Sequence, residues 1–282
     1  MLFILRFSIK IYEWGIWKFS EKRCSGLDRF IPNRAGLNIH VKENLFPGRD
    51  LFILCHGFTG SIQSHVISAA RNVLTERQLS NVSVDFTNNL NESDGQFVNH
   101  TLSGEVADLE VIYQAYRDTY ESIYLVGHSM GCTVALQFAT NITPSGLLLI
   151  APPYSMKDII LEIAKATYGD SKTGLEKWKR EQTIPIYKEK DKAYYPLSYE
   201  FFLDLEEVEP CRYVEISAPV AVIYSATDPV VPPRQSVQVF ETIGSAKKKL
   251  FPVDEAPHSF DTPLATVELL RNVQQGIHFL RK

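Results

Sequence analysis

The chain has 282 residues, enough for one large domain or two small ones, and a hydrophobic content of 45% supports a sizeable core. A formal net charge of -4 with no basic block or stripe excludes a nucleic-acid surface; the short Lys247-Lys248-Lys249 run reads as a solvated turn before a strand. The four cysteines, Cys24, Cys55, Cys132 and Cys211, are scattered and form no CxxC pair. They give no zinc or redox motif and read as reduced thiols of a cytoplasmic protein.

Met1 to Phe19 is strongly apolar and carries Trp14 and Trp17, but Arg6, Lys10 and Glu13 interrupt it. No apolar run there approaches the roughly 18 residues of a membrane span. Met1-Leu2-Phe3-Ile4-Leu5 is too short for a signal-peptide core, and no small-residue cleavage site follows. The favoured reading is an extra helix or strand packed on the domain or over its pocket. The other reading, contact of residues 1–19 with a membrane surface, is not favoured.

Gly36 to Lys42 alternates weakly, as a short strand would, and Pro47-Gly48 is a turn. Asp50 to Cys55 is a continuous apolar run, the pattern of a strand buried on both faces. It ends in His56-Gly57-Phe58-Thr59-Gly60-Ser61, and a helix over about 62–78 follows. Asn81 to Phe86 is a second strand, and the polar stretch from Thr87 to Asn99 is a loop. A helix over 101–119 carries Val106, Leu109, Val111, Ile112 and Ala115 on its apolar side.

Ile123 to Val126 is the central strand, running into Gly127-His128-Ser129-Met130-Gly131 and then a helix. This is G-x-S-x-G between a strand and a helix, the context of a nucleophile elbow. A Cβ at Gly127 or Gly131 would collide with the neighbouring elements, and the strained turn aims the Ser129 hydroxyl out of the sheet. Gly146 to Ala151 is a further buried strand, stopped by Pro152-Pro153.

From Pro152 to about Tyr213 no buried-strand run occurs; the segment is charged, tyrosine-rich and reads as helical. Sheet patterning returns with Pro219 to Tyr224. A helix after Pro233, a strand over 249–253, the loop holding His258 and a helix over 263–279 complete the chain. Strands alternating with helices imply a largely parallel sheet covered on both faces, with reactive groups at the carboxyl ends of its strands. The division is a core of residues 1–151 and 217–282 around an inserted, mainly helical cap of residues 152–216.

A serine hydroxyl needs a base to take its proton. Of seven histidines, His128 adjoins Ser129 on a tight turn and diverges from it. His56 serves its own loop, and His40, His65, His100 and His278 read as surface residues. His258, in the loop after the last strand, is the candidate base. The imidazole needs an acid partner; Asp228, directly after a buried strand, is the candidate, with Asp254 and Asp204 as runners-up. The order Ser129, Asp228, His258 is the one the elbow motif predicts. Two backbone N–H groups should receive the oxyanion: Met130, at a helix start, and Phe58, by its place after His56-Gly57.

These pieces together resemble the α/β-hydrolases, in the branch of cinnamoyl and feruloyl esterases, carboxylesterases and monoglyceride lipases. The matching motifs are His56 to Gly60, Val84-Asp85-Phe86, Ser93-Asp94-Gly95, the elbow, Ala226 to Pro232 and Pro257 to Phe260, in family order. The resemblance implies a Ser-Asp-His triad, a two-amide oxyanion hole, an inserted cap, no metal and no organic cofactor. Relatives often carry Gly-His-Gly where this chain has Thr87-Asn88-Asn89-Leu90-Asn91, in a loop bordering the pocket, and Cys132 replaces a common glycine. The expected activity is hydrolysis of a small-molecule carboxylic ester, of an aromatic or short acyl group, through an acyl-enzyme. The alternatives are a lipase, thioesterase or peptidase of the same fold, or a non-catalytic binding protein.

Overall fold

The computed structural model describes residues 26–208 and 210–282. The reading of residues 1–19 and that of Cys24 lie outside them, as does the side chain of Cys211. In chain order come β1 (Leu27–Pro32), β2 (Asn38–Asn44), β3 (Asp50–Cys55), α1 (His65–Glu76), β4 (Ser80–Asp85), α2 (Leu102–Tyr116), β5 (Ser122–His128), α3 (Met130–Ala139) and β6 (Gly146–Ile150). An insertion then carries α4 (Met156–Tyr168), α5 (Ser171–Glu181), β7 (Thr183–Lys188), β8 (Ala193–Ser198) and α6 (Tyr199–Glu206). The last elements are β9 (Val220–Ser225), α7 (Pro233–Thr242), β10 (Lys248–Val253) and α8 (Pro263–Leu280).

Eight strands form one sheet in the order β1-β2-β4-β3-β5-β6-β9-β10. β2 runs antiparallel to β1 and β4, and the other pairings are parallel. Side chains alternate between sheet faces with a period of two, and the core divides accordingly. Ile53, Leu125, Leu147, Leu149 and Val222 meet α2 and α3 on one face. Leu54, Val126, Leu148, Ile150 and Ile223 meet α1 and α8 on the other. The central strands are thus buried twice, which is why they read as unbroken apolar runs.

α2 departs from the expected apolar stripe. It buries Glu105 and Asp108 alongside Leu109 and Ile112. Both acids hold the loop after β4: Asp108 accepts from the Thr87 amide at 2.7 Å and from Asn33 at 2.8 Å, and Glu105 accepts from Asn89 at 2.9 Å. Hydrogen bonding to fixed donors is what makes such burial tolerable.

The insertion contains three helices and, unexpectedly, the antiparallel hairpin β7–β8. Ile184 and Ile186 face inward while Tyr187 and Tyr194 pair on the outer face, ring centroids 5.0 Å apart. Pro185 opposes Pro196 in the register. Proline donates no ladder bond, so two of them obscure a strand pattern. The insertion is anchored by Trp178, fully buried, whose indole N–H donates to the Leu197 carbonyl at 3.1 Å. Trp178, Phe201 and Phe202 join the same hydrophobic cluster as the α2–α3 face of the sheet. Among the described residues no helix is long and apolar enough to cross a membrane.

Candidate active site

β5 ends in the elbow. Ser129 has φ 54° and ψ -122°, a strained conformation for a residue with a side chain. Its N–H donates to the Ile150 carbonyl at 2.9 Å, and its carbonyl accepts from the Cys132 amide at 2.8 Å. Only glycine fits on either side: a Cβ on Gly127 would lie 2.6 Å from the Gly131 carbonyl oxygen, and one on Gly131 would run into the Cys55 carbonyl.

Asp228 follows β9. Its Oδ1 accepts from the amides of Val230 at 2.8 Å and Val231 at 3.0 Å. Its Oδ2 stands 2.7 Å from His258 Nδ1, and its side chain is 1% exposed. His258 Nε2 lies 2.9 Å from Ser129 Oγ. A carboxylate can only accept, so the proton between His258 and Asp228 sits on Nδ1. This leaves the Nε2 lone pair for the serine hydroxyl. The structure therefore brings together the three side chains that the sequence leaves far apart. The runner-up acids are elsewhere: Asp254 is exposed, and Asp204 accepts from the Ser103 amide at 2.9 Å.

Two supports for this geometry escape sequence reasoning. Ser225, the last residue of β9, donates its hydroxyl to the Ala256 carbonyl at 2.8 Å and accepts the Ala256 amide at 3.0 Å. It clamps the His258 loop to the strand that delivers Asp228. His128 Nε2 lies 3.1 Å from the His258 carbonyl oxygen, which can only accept, so His128 carries its proton on Nε2. Burial first, and then the neighbouring His258, push the His128 pKa down to about 3, so it stays neutral beside the base.

The loop after β3 turns tightly at Gly57, with the Gly60 N–H donating to the Gly57 carbonyl at 2.9 Å. Phe58 and Thr59 are the central residues, so their amides lie outside the turn's own hydrogen bond. Met130 opens α3, where the first amides lack intrahelical acceptors. His56 braces the loop from below, donating from Nδ1 to the Gly57 carbonyl at 2.9 Å. Its Nε2 accepts from the Phe86 amide at 3.3 Å and from Asn91 at 3.2 Å. Burial lowers its pKa, which favours this neutral form. Asp85 completes the brace: Oδ1 accepts from the Ile62 amide at 2.8 Å, and Oδ2 meets His40 Nδ1 at 2.8 Å.

Two histidines assigned to the surface from sequence are instead buried. His40 lies between Asp85 and Asp28, whose carboxylates raise its pKa against the opposing effect of burial. His100 is stacked on Phe97 and Phe201, and burial drives its pKa down to about 3. Neither sits in an apolar run, so nothing in the local pattern marks them as interior.

A cleft of about 920 Å³ opens over Ser129, His258 and Gly57. The insertion forms part of its wall, through Met156 and Ile159 of α4 and Lys188 and Tyr195 of the hairpin. Among the described residues no group of three or more His, Cys, Asp or Glu side chains is arranged to hold a metal ion.

Residues 52–269 match the model of the family described as "Alpha/beta hydrolase family". The chain belongs to the alpha/beta hydrolase family. Solved structures agree on the fold. Est1E from Butyrivibrio proteoclasticus, with ferulic acid bound, superposes with a TM-score of 0.72 at 20% identity, over 89% of this chain and 98% of that one. A putative hydrolase from Agrobacterium vitis S4 gives 0.75 at 17% identity, over 89% and 99%. The esterase EaEST from Exiguobacterium antarcticum gives 0.65 at 16%, over 91% and 100%. No curated protein matches the chain. Within this hydrolase fold, Ser129, Asp228 and His258 occupy the carboxyl ends of β5 and β9 and the loop after β10.

Proposed function

We propose that this protein is a serine hydrolase that cleaves carboxylic esters through an acyl-enzyme. The single observation that carries the reading is the bridge made by His258, 2.9 Å from Ser129 Oγ and 2.7 Å from the buried Asp228 carboxylate. In the first half-reaction His258 Nε2 takes the hydroxyl proton as Ser129 Oγ attacks the ester carbon. Asp228, held by two backbone amides, keeps the imidazole oriented and stabilises the imidazolium. The amides of Phe58 and Met130 receive the oxyanion; removing one such donor typically costs about 100- to 1000-fold in rate. His258 then passes its proton to the leaving alkoxide, and water releases the acid by the same steps reversed.

Residues 152–216 act as a cap in this reading, supported by their contribution to the cleft wall. The substrate is a small-molecule ester. A cytoplasmic location is supported by the unpaired, buried Cys55 and Cys132. The test is hydrolysis of p-nitrophenyl acetate by the wild type and by Ser129→Ala. The substitution should reduce turnover by about 10⁴-fold or more. Retained turnover would place the nucleophile elsewhere, and an inactive wild type would remove the esterase reading.

A further inference from the structure

The two substituents of a bound ester have different surroundings, and the triad fixes which is which. In the tetrahedral intermediate the oxyanion faces the Phe58 and Met130 amides. The leaving oxygen must lie beside His258 Nε2, because that nitrogen protonates it. The acyl chain takes the remaining direction, away from His258. This assignment rests on the serine-hydrolase reading above.

On the His258 side the cleft is walled by Ser61, Gln63, His65, Ser259 and Asp261. Thr266 ties this end together: its hydroxyl is 3.1 Å from His65 Nε2 and donates to the Phe260 carbonyl at 3.0 Å. On the other side lie Phe58, Leu90, Met156, Ile159 and Ile163. That end abuts the insertion, since the Phe58 ring is 5.5 Å from Phe201 of α6 and Lys188 of the hairpin bonds to the Leu90 carbonyl. Met156, Ile159 and Ile163 recur at helical spacing on α4, so they form one aliphatic stripe. The hairpin charges above it are paired with one another, Lys188 with Asp191 and Lys192 with Glu189. Asp191 also accepts from Tyr195.

We infer that the preferred substrate is an ester of a straight-chain aliphatic acid with a hydroxyl-bearing alcohol. The acyl chain lies along the α4 stripe, and the alcohol lies among the hydroxyl, amide and carboxylate groups beside His258. Seven residues of helix span about 10 Å, the reach of a chain of about eight carbons. The stripe is aliphatic and narrow, and offers a flat phenylpropenoyl group no stacking partner along α4.

The test is kcat/KM for p-nitrophenyl esters from acetyl to tetradecanoyl and for the feruloyl ester, together with release of octanoate from glyceryl and from ethyl octanoate. The expected optimum is near octanoyl, about 10-fold or more above acetyl, because each buried methylene adds favourable transfer free energy. Ile163→Trp should move the optimum to shorter chains and Ile163→Ala to longer ones. Gln63→Leu should reduce the ratio of glyceryl to ethyl octanoate hydrolysis. A flat chain-length profile, a feruloyl ester equal to or better than octanoyl, or an optimum unmoved in both Ile163 variants would overturn the acyl assignment. Equal rates on the two octanoates would overturn the alcohol assignment. Fluorophosphonate labelling separates the levels: a labelled Ser129 with a flat profile removes this inference alone, whereas an unlabelled enzyme removes the reading beneath it.

Discussion

At the carboxyl edge of the sheet, each reactive group is held by main chain. Ser129 is fixed by the Ile150 carbonyl and the Cys132 amide, Asp228 by the amides of Val230 and Val231, and the His258 loop by Ser225 and His128. In the insertion the side chains that reach the cleft come from one helix stripe and a charged hairpin turn, and their bonds run mainly between side chains. The hairpin's only listed hold on the core loop is Lys188 to the Leu90 carbonyl, made by a long flexible stem. The difference separates two tasks. A triad must be right to fractions of an ångström, which buried backbone bonds supply. A pocket wall needs only shape and polarity, and can be changed without disturbing the chemistry.

The sharpest way to break this contrast is at Asp228. In Asp228→Asn the side-chain oxygen still accepts from Val230 and Val231, so the amide nitrogen faces His258 and demands a lone pair from Nδ1. The imidazole is then protonated on Nε2, the wrong nitrogen for taking the serine proton. Turnover of p-nitrophenyl acetate should fall about 10⁴-fold, with the fold intact by circular dichroism. A fall of a few-fold would mean that another acid serves His258.

Trp178→Ala tests the other region. It empties the insertion's core, at a cost of about 3–5 kcal/mol for a large buried aromatic. Thermal unfolding should then show the insertion lost in a separate, lower transition, while the sheet melts near its original temperature. A single shifted transition would show the two regions to be one cooperative unit.

His100 lies between the regions, stacked on Phe201 of the insertion and Phe97 of the core. Its folded pKa, about 3, lies below the ordinary 6.5. The unfolded chain therefore takes up a proton below about pH 6.5 that the native state refuses, and stability contributed by neutral His100 is lost as pH falls. Replacing it with Phe should remove about 1 kcal/mol of the stability lost between pH 6 and pH 5, read by urea unfolding at the two values. An unchanged pH dependence would mean that His100 is charged in the native protein.

The same two regions differ in how far they could be read from the amino-acid sequence. β3, β5, β6 and β9 are buried on both faces, so burial wrote itself as apolar runs, and the groups at their ends were visible as Gly, His, Ser and Asp where a run stops. β1 lies at the sheet edge with five of its six residues exposed and carries no such signal. The hairpin was hidden by Pro185, Pro196 and a turn of alternating charges. The supports given by Ser225, His128 and Asp85 depend on contacts between distant segments. A polar residue at a strand end reads the same whether it faces water or clamps a loop.

The most direct test of the central claim is a peptide map after reaction with a fluorophosphonate. One adduct is expected per chain, on the peptide containing Ser129, and it should be lost in His258→Ala, because without the base the hydroxyl is an ordinary alcohol. An adduct on another serine, or labelling of Ser129 that persists undiminished without His258, would contradict it.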